Sequence, residues 1–189
     1  MGIVESLNQI DHSMFFFLNG LHCSFLDPLI YWGTQSLVWI PLYLLLLFIV
    51  IRNFKWRTLW ILLFAALMIL VSDQLSNLFK EWISRPRPTH EPGLPGIHTV
   101  HGYTGGEHGF YSAHASNTMA LAIFLIFLLK DRYKILTLLL FLWALFMGYT
   151  RIYLGVHFPG DIVAGFIIGG LIGYGTFRLF NYSVKLKKS

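Results

Sequence analysis

Three short polar stretches interrupt an otherwise apolar chain. The most informative runs from Thr150 to Asp161 and carries Arg151, His157 and Asp161. Upstream lie Lys80 with Arg87-Pro88, and then Ser112-Ala113-His114. Cations, two histidines and a carboxylate at the ends of membrane helices are the parts needed to remove a phosphate. Lysine supplies a mobile point charge, and arginine a planar fork that grips phosphate oxygens in pairs. Arg85-Pro86-Arg87-Pro88 also stiffens its stretch, because proline fixes φ and restricts the residue before it. Ser112 reads as a helix N-cap, and a helix N-terminus offers unpaired N–H groups and a positive dipole end to an anion. His114, in the first turn, can hand a proton to a leaving oxygen. Asp161 lies four residues after His157 and reaches one ring nitrogen if Gly160-Asp161 begins a helix. The other nitrogen is then basic and fixed in tautomer, as a histidine nucleophile requires. Arg151 would balance charge on the equatorial oxygens.

Each stretch alone has a plainer reading: a snorkelling basic belt, or a capping serine beside an interfacial histidine. Ionisable residues at membrane depth are costly and usually functional, and three such stretches together favour a site. Asp73 falls seven residues before Lys80, nearly on the same helix face, with Ser76 and Asn77 between them. It either anchors a polar network under the site or faces another helix. His90, His98, His101 and His108 are irregularly spaced in a Gly/Pro-rich loop. That spacing argues against zinc and for contact with lipid headgroups or a lid. Neither a metal nor a cofactor is expected.

The elements that must position these residues are membrane helices. The 189 residues are 56% hydrophobic and 12% charged, against about 25% charged in soluble domains. With a mean hydropathy of +0.62 the chain reads as an integral membrane protein, one domain over 1–189. The net charge of +5 sits in short loops beside apolar runs and is not a nucleic-acid signal. The single cysteine, Cys23, excludes an internal disulfide. The N-terminus lacks the basic region of a cleavable signal peptide.

Residues 3–18 space Ile3, Leu7, Ile10, Met14, Phe17 and Leu18 on one face, with Glu5, Gln9 and His12 elsewhere. That predicts an amphipathic helix within 1–20, lying in the membrane interface. Spans are expected at 29–51, kinked at Pro41, and at 58–79, 112–129, 135–150 and 161–180. Residues 14–26 would add a sixth only if they also crossed. The basic residues of 52–57, 130–134 and Lys185, Lys187 and Lys188 should be cytoplasmic. Five spans then put the N-terminus, the 81–110 loop and the 151–160 turn on the outer face. Gly165, Gly169 and Gly173 in the last span predict close packing on a neighbouring helix.

The three stretches resemble the signature of the type-2 phosphatidic acid phosphatase superfamily, which includes vanadium haloperoxidases and bacterial acid phosphatases. Its first motif, Lys, six residues, Arg-Pro, matches Lys80 and Arg87-Pro88. Its second, Pro-Ser-Gly-His, matches Tyr111-Ser112-Ala113-His114. Its third, Ser-Arg, five residues, His, three residues, Asp, matches Thr150-Arg151, His157 and Asp161. Tyr111, Ala113 and Thr150 depart from the pattern, but none removes a group with a charge or proton role. The N–H of Ala113 can still donate, and Thr150 keeps a hydroxyl.

The resemblance implies that His157 attacks phosphorus and Asp161 orients it, while His114 serves as acid and then base. Lys80, Arg87, Ser112, Ala113 and Arg151 would hold the phosphate oxygens, with no metal needed. It implies an all-α, polytopic lipid phosphatase of a bacterial inner membrane, acting at the outer face on a lipid phosphate held in the bilayer. The expected substrate is undecaprenyl diphosphate. The alternatives are lipid A 1-phosphate and phosphatidylglycerophosphate. A non-enzymatic lipid-phosphate-binding or transport protein would use the same cations, but no internal repeat of the kind common in transporters is evident. The oligomeric state is left open.

Overall fold

A computed structural model of the chain describes residues 2–184. The basic tail residues Lys185, Lys187 and Lys188 lie outside the described residues. Among those described there are seven α-helices and no strand: α1 (Ile3–Gly20), α2 (Leu26–Gly33), α3 (Ile40–Phe54), α4 (Thr58–Ile83), α5 (Ala113–Leu129), α6 (Lys134–Tyr153) and α7 (Pro159–Val184). The apolar helices α3 to α7 form a membrane bundle. Stretches long and apolar enough to cross a membrane are Ser36–Ile83, which contains both α3 and α4, Lys134–Tyr153 and Pro159–Val184; Ala113–Leu129 is a shorter apolar helix. At 26 residues each, α4 and α7 are about 39 Å long, more than the ~30 Å hydrocarbon core.

The first span begins later than the sequence predicts. In place of one helix over 29–51 the chain forms α2, a 3-10 turn (Ser36–Trp39) and then α3. Pro41 sits in the first turn of α3 and causes no kink, because its missing N–H has no partner to lose there. The Trp39 indole N–H donates to the Gly33 carbonyl at 2.7 Å and fixes the break. Residues 14–26 do not form a sixth span, since α1 stops at Gly20 and α2 begins at Leu26. Elsewhere the helices outrun their expected ends: α4 continues to Ile83, α6 to Tyr153 and α7 to Val184.

The basic loops at 52–57 and 130–134 share one end of the bundle. Asn53 accepts from Arg132 at 2.9 Å and donates to the Tyr133 hydroxyl at 3.0 Å. The three chemically interesting stretches lie at the other end. There α1 packs across the bundle through Phe15, which is buried against Phe158, and through Asn19, whose amide donates to the carbonyls of Ile152 and Tyr153. The face of α1 with Ile3, Leu7, Ile10, Met14 and Phe17 stays exposed, 49–82% for each. A helix that docks through Phe15 and Asn19 and leaves such an apolar row outward is built to meet lipid.

The tightest helix pair is α5 with α7. A Cβ on Gly165 would lie 2.8 Å from the Ser112 carbonyl, and on Gly169 or Gly173 it would collide with the backbone of Ser116 or Ala120. Without a hydrophobic drive inside lipid, close packing of this kind is what binds membrane helices. Gly169→Val should lower thermal stability in detergent by about 1–3 kcal/mol or more. Gly175→Val, at a position with nothing within 4 Å, should change it little. Equal melting temperatures for the two variants would contradict this packing.

Candidate active site

The first stretch is positioned by the end of α4. Lys80 lies in its last turn, and Ser84 closes the helix in the left-handed region at φ 51°. The chain then runs extended through Arg85-Pro86-Arg87 and pairs with the return of the loop. The Arg87 N–H donates to the Glu107 carbonyl at 3.0 Å, and the Gly109 N–H to the Arg85 carbonyl at 2.8 Å. This short ladder aims two arginines into the bundle. Arg87 is 9% exposed and donates through Nε to the His108 carbonyl at 3.1 Å. One of its terminal nitrogens meets the Val156 carbonyl at 3.2 Å and Nε2 of His157 at 3.1 Å.

That last contact settles the tautomer of His157. Arginine can only donate, so Nε2 must accept and Nδ1 carries the proton. Nδ1 faces Oδ2 of Asp161 at 3.4 Å, and the same oxygen accepts the Phe158 N–H at 3.0 Å. The i, i+4 relation works because Pro159 starts α7 and places Asp161 in its first turn. Burial pushes the His157 imidazole down from 6.5 to about 4, opposed by its bond to Asp161 and reinforced by Arg87. Burial also lowers Arg87, with Arg151 adding to the effect.

The second stretch joins the third through the backbone: the Ser112 N–H donates to the Asp161 carbonyl at 3.1 Å. Ser112 caps α5, its Oγ accepting from the Ala115 N–H at 3.4 Å. Ala113 opens the helix and His114 follows in its first turn. His114 borders a cavity of about 330 Å³ between α3, α4, α5 and α6, lined also by Tyr43, Ile69, Asn117, Leu121 and Trp143. Beneath the site, Asp73 accepts from Asn117 at 2.7 Å, and the Ser72 and Ser116 hydroxyls meet at 2.7 Å. Asp73 thus ties α4 to α5.

Not all the expected residues converge on the imidazole. Arg151 is 2% exposed, but its terminal nitrogens donate to Thr34 at 2.6 Å and to the Tyr103 hydroxyl at 2.9 Å. None of the ion pairs among the described residues uses Lys80. Of the loop histidines, His98 pairs with Asp27 at 2.9 Å and stacks on His22.

Four contributors escape a motif reading. Gly109 backs the imidazole: a Cβ there would lie 3.1 Å from Asp161 Oδ2 and 3.2 Å from Arg87 Cγ. Thr34 and Tyr103 seat Arg151, and Arg85 binds the free oxygen of Asp161 at 2.8 Å. The only sequence signal was for Arg85, in the doubled Arg-Pro.

Fold and site together define a membrane member of the PAP2 superfamily, whose family model matches residues 58–185. The chain belongs to that superfamily and is a membrane lipid phosphatase, a hydrolase. It is 40% identical over 176 residues to the lipid A 4'-phosphatase of Bacteroides thetaiotaomicron, covering 91% of this chain and 77% of that protein. It is 30% identical over 185 residues to the lipid A 4'-phosphatase of Porphyromonas gingivalis, covering 95% and 77%. The crystal structure of a transmembrane PAP2-type phosphatidylglycerolphosphate phosphatase from Bacillus subtilis superposes with a TM-score of 0.68 at 24% identity, covering 97% of this chain and 89% of that one. That of Aquifex aeolicus LpxE gives 0.67 at 24% identity, covering 88% and 93%. At that identity the two structures speak for the fold.

The lowered pKa of His157 makes stability depend on pH. The unfolded chain protonates this group near pH 6.5 and the folded chain only near pH 4, so stability present above pH 6.5 declines as the pH falls towards 4. The shift corresponds to roughly 3 kcal/mol. Thermal unfolding from pH 8 to pH 4 should show a steeper loss for the wild type than for His157→Gln. Parallel curves would mean that His157 titrates normally.

Proposed function

We propose that the protein removes a phosphate from lipid A or a closely similar glycolipid through a phosphohistidine at His157. The observation that carries the mechanism is the Arg87–His157–Asp161 chain, which leaves Nε2 unprotonated beside a guanidinium. Nε2 attacks phosphorus, the bond from phosphorus to the lipid oxygen breaks, and His114 gives its proton to that oxygen. A water then attacks the phosphohistidine and loses its proton to His114, and the N–P bond breaks to release phosphate. Asp161 stabilises the positive charge that the His157 ring gains when the N–P bond forms and loses when it breaks. Lys80, Arg87, Ser112, the Ala113 N–H and Arg151 neutralise the oxygens, and Asp73 supports the helix pair beneath them. Fixed cations supply the charge stabilisation that a metal supplies elsewhere.

Support for lipid A comes from two relatives that match nearly the whole chain and carry that substrate in their names. This favours the lipid A alternative over the undecaprenyl diphosphate expected from sequence. The shared name also favours the 4'-position over the 1-position. The cavity that His114 borders would receive the part of the lipid next to the leaving oxygen. We further propose that residues 1–189 act as one membrane-embedded domain of a bacterial inner membrane. The basic loops at the far end then put the site on the outer, periplasmic face and the C-terminus in the cytoplasm.

Purified protein in detergent with EDTA should release phosphate from lipid A, leaving the 1-phosphate in place, and vanadate should inhibit it as a mimic of the five-coordinate state. His157→Ala should be folded and inactive, losing about 10⁴-fold or more in turnover, as removal of a nucleophile does. Faster release from phosphatidylglycerophosphate or undecaprenyl diphosphate would overturn the substrate reading. Binding without turnover on all three would overturn the phosphatase reading.

A further inference from the structure

Asp161 is wholly buried, and only one of its oxygens faces His157. The other accepts from Arg85 at 2.8 Å. The remaining terminal nitrogen of Arg85 donates to Asp11 Oδ2 at 2.6 Å, and its guanidinium lies 4.3 Å over the ring of Phe158. Asp11 belongs to α1, and its second oxygen accepts the Gly160 N–H at 2.7 Å. Gly160 has no side chain to obstruct this: a Cβ there would meet Asp11 Oδ2 at 2.8 Å. One guanidinium therefore bridges two carboxylates from opposite ends of the chain. One of those carboxylates also holds the backbone between His157 and Asp161. The outward face of the same α1 is apolar and exposed.

Resting on the phosphatase reading above, we propose that Arg85 and Asp11 are positioning residues: they fix the ionised Asp161 against His157 and make the site depend on α1 being docked across the bundle. Arg85 bonds to Asp161 and Asp11 and not to His157, so it acts on the imidazole through Asp161. A planar fork is needed because two acceptors on different elements must be held at once, which a lysine ammonium on its flexible stem does less well. Losing Arg85 leaves Asp161 held only through Oδ2, by the Phe158 N–H and His157, and losing Asp11 removes the anchor that holds Arg85 from α1.

The test uses the full chain in mixed micelles. Phosphate release is followed from lipid A, or from phosphatidylglycerophosphate if the wild type prefers it. Arg85→Gln should lower kcat about 10- to 100-fold, as loss of an orienting partner does, with KM unchanged. Asp11→Asn should lower it about tenfold. Arg85→Lys should recover part of the loss, and Glu5→Gln, a charge change elsewhere on α1, should have no effect. The Asp11→Asn/Arg85→Gln double variant should be no worse than Arg85→Gln, because both residues act through one chain of contacts. Additive losses, a change in KM in place of kcat, or unchanged kcat in both single variants would overturn the proposal. Should Arg85→Gln fail to fold, Asp11→Asn and Asp11→Ala carry the same test. A wild type that turns over no lipid phosphate would instead overturn the phosphatase reading.

Discussion

The structure at the site end depends on the buried negative charge of Asp161. A carboxylate taken fully out of water costs several kcal/mol unless charges and donors surround it. Here Arg85, the Phe158 N–H and the proton on His157 supply them, and the positive end of α7 adds to their effect. Each compensating group constrains an element. Arg85 pins the ladder of the 84–112 segment, Phe158 and His157 fix the turn between α6 and α7, and Asp11 brings α1 across the top. Satisfying the charge and assembling the site are one structural event.

Below this polar cap the constraints reverse. Most helix faces are apolar and exposed, as with Leu59, Leu138 and Leu171, because lipid and not water surrounds them. Cohesion there comes from backbone approach, above all the glycine stripe of α7 on α5. The same pairing places Ser112 against Asp161. The packing that holds the bundle thus also sets the distance between the second and third stretches. Ser72–Ser116 and Asp73–Asn117 repeat this logic between α4 and α5, where a polar pair inside a membrane protein fixes register.

Much of this was legible in the sequence because the chemistry is local. His157 and Asp161 are one helical turn apart, Ser112 caps the helix that bears His114, and the glycine stripe has helical spacing. The break of the first span at 34–39 does coincide with a polar run, Gly33-Thr34-Gln35-Ser36, but three polar residues inside a long apolar stretch do not by themselves end a helix, and the Trp39–Gly33 bond that fixes the turn has no sequence signature. Pro41 was misread as a kink for the same reason: its position relative to the helix start was unknown. Arg151 carries a motif signal, but the residues that seat it, Thr34 and Tyr103, come from segments without one. Nothing in the sequence singles out Asp11 on α1. Its partners are 74 and 149 residues away, and no spacing rule reaches that far.

The central claim is that the arrangement around His157 exists to hold a covalent phosphate. The most direct measurement is to mix the protein with lipid A carrying a radiolabelled phosphate, quench in alkali during turnover, and map the label by peptide mass spectrometry. The account predicts label on His157, alkali-stable and acid-labile, slower both to appear and to clear in His114→Ala, which lacks the acid of the first step and the base of the second. Turnover with no label on the protein in either form, or with label on another residue, would contradict it.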